Sequence, residues 1–145
     1  MPTNDTADVR TREKANTHSH DVLWVFDPWG DGAPFAYTVG LSVRAGRAYE
    51  LACTGLPADL ACVVLNNTAE QLVVDDVDPV DGMPLTKVLI GYTVRLRPVD
   101  DPSTLAAIRT TLGEQPPVWQ VLWPDAWGRF PGEPGHVDLP FQPPL

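Results

Sequence analysis

In "APFAYTVGLSV" the side chains alternate with a period of two. Phe35, Tyr37, Val39 and Leu41 fall on one side, and Ala36, Thr38 and Gly40 on the other, because successive side chains of a strand point to opposite faces. One face is bulky and the other is nearly bare. "VLWVF" alternates in the same way, Val22, Trp24 and Phe26 against Leu23 and Val25, and ends at the turn cluster "DPWGDGAP". "AYELACTG" predicts a third strand. "GLPADLACVVLNNTAEQLV" then switches to helical spacing. Leu60, Val64 and Leu72 share a side, with Ala61, Leu65 and Thr68 beside them, and Pro57 suits the first turn.

The acidic stretch "DDVDPVDGMP" breaks that helix. "KVLIGYTVRLRPV" predicts one strand, with Tyr92, Val94 and Leu96 inward and Thr93, Arg95 and Arg97 outward. "DDPSTLAAIRTTLG" predicts a second helix, with Asp101 as N-cap, Pro102 at its first position and Gly113 as terminator. "VWQVLWPD" is the last strand, ended by Pro124, and Trp119, Val121 and Trp123 share its core face. This order predicts an α+β fold: a mostly antiparallel sheet of about five strands, two helices and a Pro/Gly-rich C-terminal tail. Residues 1–17 show no period and read as a flexible N-terminal arm; residues 18–145 read as a single domain.

Charge narrows the partners. Ten Lys plus Arg stand against nineteen Asp plus Glu, a net charge of −9, which disfavours both nucleic acid and an anionic membrane surface. The N-terminus lacks the apolar stretch of a secretory signal, so the expected location is cytoplasmic. Cys53 and Cys62 lie in apolar settings ("LACTG", "LACVV") and are expected as buried free thiols.

The candidate chemistry is sparse. None of Ser19, Ser42 and Ser103 sits in a nucleophile motif, and no Gly-rich phosphate loop occurs. The acidic loop of Asp75, Asp76, Asp78 and Asp81 lacks the terminal Glu of a calcium loop and reads as a solvated face. "HSHD" places His18 and His20 on one side of an extended segment. With Asp125, or with Glu133 or His136 instead, they would form a metal shell for a hydrolase.

The bare strand face suggests close approach of a backbone or a flat ligand. The expected ligand site lies where Tyr37–Gly40 meets Gln120–Asp125, with Tyr37, Thr38, Asn66, Gln120 and Asp125 as its polar groups. The competing reading is a helix packed over that face, with Thr38 satisfied locally. Trp29 and Trp127 sit in turns, where burial is harder, and are the expected partner contacts.

Taken together, "PFAYTVGL", "ELACTGLPADLACVVLNN", "GYTV" and "QVLWPDAWGRFPGEPG" resemble a bacterial family catalogued as a domain of unknown function (number four-two-six-two), over His18 to Leu145. The resemblance implies domain identity without supplying a reaction. The family's usual His-Gly-Trp-His-like run is matched here at His18 but carries His20 and Asp21 in place of its Trp and second His. Gly132 and His136 replace its usual aromatics.

The reading is a small binding or accessory module, not a catalyst, with a protein partner or a small molecule as ligand and self-association open. Two alternatives stand beside it. One is a split-barrel-like binder that lays a flavin-type ring on the bare strand face; the other is the metal-dependent hydrolase of His18, His20 and Asp125.

Overall fold

The computed structural model describes residues 20–26, 32–43, 47–137 and 142–145. Its sheet contains β1 (Asp21–Val25), β2 (Phe35–Val39), β3 (Glu50–Thr54), β4 (Pro84–Leu89), β5 (Tyr92–Pro98) and β6 (Val118–Leu122). Helix α1 (Ala58–Asp75) connects β3 to β4, and α2 (Ala106–Leu112) lies between β5 and β6. The strand order is β1-β2-β3-β6-β5-β4. Every neighbouring pair is antiparallel except β3 with β6, which is parallel. No helix among the described residues is long and apolar enough to cross a membrane.

The sheet has six strands because "KVLIGYTVRLRPV" is a hairpin. Leu89 pairs with Tyr92 across Ile90 and Gly91, and Gly91 takes φ 81°, which only glycine adopts without strain. Tyr92 is therefore half out of the fold, whereas Val94 and Leu96 point inward as expected.

The lopsided strand β2 sits between two layers. Cross-strand register puts Leu23, Tyr37, Ala52 and Gln120 in one row. That face packs on Leu105, just before α2, and on Ile108 of α2. The other face carries Val22, Ala36, Leu51, Cys53 and Val121 and packs on α1 through Ala61, Val64, Leu65 and Leu72. The small residues of β2 let the longer helix settle close, and β3, buried at all five positions, forms the centre. Each fully buried Leu or Val here contributes roughly 1.5–3 kcal/mol relative to exposure.

Helix α1 starts after extended Pro57 and stops at Asp76, whose left-handed φ of 52° lets its N–H reach the carbonyls of Leu72 and Val73. Leu60 faces solvent rather than the core. The helix also ties down β4. The β4–β5 register shifts between Leu85 and Leu89, and there Lys87 N donates to Gln71 Oε1 (2.8 Å) while Asn67 Nδ2 donates to the Val88 carbonyl (3.1 Å). In the second helical segment Asp101 caps a short turn of 3₁₀ helix, Pro102–Thr104, and α2 follows, ending at Gly113 with φ 76°.

The chain end returns to the sheet. Gln120 Nε2 and the Thr54 hydroxyl both donate to the Pro143 carbonyl, at 3.0 and 2.8 Å, and Leu145 N donates to Gln120 Oε1 at 2.9 Å.

Candidate interaction groove

Strand β6 ends at Leu122, and the segment after it folds around a single carboxylate. Asp125 Oδ1 accepts the backbone N–H groups of Trp127 and Arg129, both at 2.9 Å, and Oδ2 accepts that of Val137 at 2.9 Å. Asp125 N in turn donates to the Arg129 carbonyl at 2.8 Å. Burial alone would raise this carboxyl. The three N–H groups, helped by the Arg129 guanidinium 3.5 Å away, outweigh it and hold the group at about 2.

A second carboxylate braces the next turn. Glu133 Oε1 accepts Phe130 N at 2.7 Å, and Oε2 pairs with Arg95 at 3.3 Å. The Phe130 N–H, with Arg95, keeps Glu133 below the usual carboxylate range. Arg95 also lies 4.3 Å over the Phe130 ring.

This bracing presents Trp127 to solvent. Its side chain is 68% exposed, with the Arg129 guanidinium 5.4 Å from the ring centre on one side. Between the loop and the β4–β5 hairpin runs a groove of about 380 Å³ lined by Tyr92, Thr93, Pro124, Trp127 and Phe130, with Gly91, Ala126 and Gly128 as its low walls. That volume falls within the range of ligand pockets. Ile90 and half-exposed Tyr92 extend the apolar surface past the hairpin tip.

A family model described as Domain of unknown function (DUF4262) matches residues 14–137, most of the chain. The chain belongs to the DUF4262 family. Neither a search of curated proteins nor one of solved structures returned a match.

The residues proposed from sequence as one ligand site are dispersed in this DUF4262 domain. Tyr37 and Gln120 share a row but are separated by Ala52 of β3. Thr38 lies on the opposite face, in register with Val22. Each of the five is buried and engaged internally. The Tyr37 hydroxyl accepts Ala107 N (3.4 Å), and Gln120 holds the chain end. Asn66 Oδ1 meets His20 Nε2 at 2.8 Å, and its Nδ2 donates to Cys62 Sγ at 3.3 Å. The bare face offered to a flavin-type ring is covered by α1, and Ala36 and Thr38 are fully buried beneath it.

Of the metal candidates, His18 lies outside the described residues, as does Trp29. His20 is committed to Asn66, and the Asp125 oxygens to backbone donors. Among the described residues no three His, Cys, Asp or Glu side chains are grouped to hold an ion. Neither Cys53 nor Cys62 is in a disulfide, and both are buried. Burial, reinforced by the neighbouring Cys62, pushes the Cys53 thiol up to about 12, so it is a poor nucleophile.

Sequence reasoning overlooked Glu50, which is fully buried in β3. Its Oε1 accepts the Thr38 hydroxyl (2.7 Å) and Leu41 N (3.1 Å). Its Oε2 accepts Gly40 N (3.2 Å), Ser42 N (2.9 Å) and the Ser42 hydroxyl (2.6 Å). Five donors from β2 and the turn after it thus neutralise the cost of burying a charge. The available signal was an acidic residue inside the apolar run "AYELAC".

Proposed function

We propose that this domain is a non-catalytic binding module whose contact surface is the groove between the β4–β5 hairpin and the Pro124–Phe130 loop. The supporting observation is Trp127, 68% exposed on a loop held by three backbone donors to Asp125. A large aromatic held rigidly in water contributes little to folding but loses little entropy when it docks, and such residues dominate binding energetics. The buried, unbridged thiols of Cys53 and Cys62 fit a reducing, cytoplasmic setting.

The test is a screen of soluble fragments and short peptides by NMR, following the Trp127 indole N–H signal assigned with Trp127→Phe. Ligands should shift that signal together with Tyr92 and Thr93, and Trp127→Ala should abolish the response while leaving the melting temperature within about 2 °C of the parent. Ligands that map instead to the hollow of Asn67, Gln71 and Lys87, or a screen in which no ligand moves Trp127, would refute the assignment.

A further inference from the structure

The groove exists because a ladder stops early. Val99 N donates to the Val118 carbonyl at 2.9 Å, and the β5–β6 register pairs Arg97 with Gln120 and Arg95 with Leu122. Hydrogen-bonded pairs recur at every second residue of an antiparallel ladder, so on this edge they fall at Val99, Arg97 and Arg95. The next falls at Thr93, opposite Pro124. The alternate positions of β5 serve β4, as Leu96 N does in donating to the Met83 carbonyl at 3.1 Å.

Pro124 has no N–H to give. Beyond it the backbone turns into its own loop, with Asp125 N committed to the Arg129 carbonyl. No hydrogen bond joins Thr93 and Pro124 among the described residues. By the ladder's alternation the N–H and C=O of Thr93 point in the plane of the sheet toward the side lined by Pro124, and among the described residues the loop after β6 makes no backbone bond to them. Gly91 and Gly128, at φ 81° and 79°, have open space where a Cβ would stand, so a second backbone can come close.

We propose that the occupant of the groove is an extended peptide segment of a partner protein, paired antiparallel with Thr93 in the place β6 vacates. This rests on the groove being the contact surface. Main-chain bonding to Thr93 supplies one donor and one acceptor, and alternate peptide side chains lie against Trp127 and Tyr92, as in recognition by strand addition. The outer edge of β4 is a poorer template, because Pro84 and Lys87 and the register shift interrupt it.

The experiment selects phage-displayed twelve-residue peptides on the full chain and resynthesises a winner with single backbone N-methyl groups at successive positions. The expected winner loses binding in Trp127→Ala. One N-methyl position should weaken it by about tenfold, the equivalent of one lost hydrogen bond, while both flanking positions tolerate the methyl. Exchange of the Thr93 amide should slow by about tenfold on binding. A winner that needs Trp127 but ignores N-methylation and leaves Thr93 exchange unchanged would overturn strand pairing and leave the groove standing. A winner indifferent to Trp127→Ala, or no winner at all, would overturn both.

Discussion

Replacing Glu50 by Gln tests whether the buried carboxylate latches β2 and its following turn to β3. The amide oxygen fits best in the place of Oε2, where it faces three donors: Gly40 N, Ser42 N and the Ser42 hydroxyl. The amide nitrogen then replaces Oε1 and opposes Leu41 N, donor against donor. The Thr38 hydroxyl, which already accepts Leu51 N at 2.9 Å, must stop donating and turn. Stranding one buried N–H costs about 1–3 kcal/mol, and the three surviving bonds lose their charge assistance. Easier burial of a neutral amide offsets part of this, leaving a net loss of about 3 kcal/mol. For a domain of this size that lowers the melting temperature by about 10 °C. Thermal unfolding followed by circular dichroism at neutral pH reads it directly. A fall of less than about 3 °C would refute the latch, since that change falls below the cost of even one stranded donor.

Two further outcomes are expected. Asp125 sits below its unfolded value when folded, so its contribution to stability is complete above about pH 4 and is lost as pH falls through about 2; urea midpoints should drop over that interval. Asp125→Asn should flatten the drop, with a residual slope from Glu133, and an unchanged acid limb would contradict the loop assignment. Both thiols should ignore a disulfide-exchange reagent in the folded chain and react after denaturation; prompt reaction of either would show that the space between α1 and the sheet opens readily.

Much of the architecture was legible in local pattern. The two-residue alternation of β2 and the helical spacing of α1 survive because each reports which faces are buried, and burial dominates both elements. The hairpin of residues 84–98 escaped because Ile90–Gly91 carries no Asn or Asp and interrupts an unbroken apolar run. The residues expected as one ligand site are dispersed for a related reason. Polar residues in apolar strands and helices read as functional groups, whereas Thr38, Asn66 and Gln120 serve as internal connectors. The exposure of Trp127 was legible, since a turn between Asp125 and Gly128 has no interior to hide an indole.

By itself the sequence determined most of the layers: the strands outside the β4–β5 hairpin, both helical segments, and that Pro124 ends a strand. These follow from side-chain period and from proline's missing donor, both properties of the local chain. Only the tertiary structure decided that β3 and β6 run parallel at the centre, that five donors converge on Glu50, and that Thr93 and Pro124 line one groove beside Trp127. Each of these is a meeting of residues distant along the chain, and its register is set by packing two helices against opposite faces of one sheet.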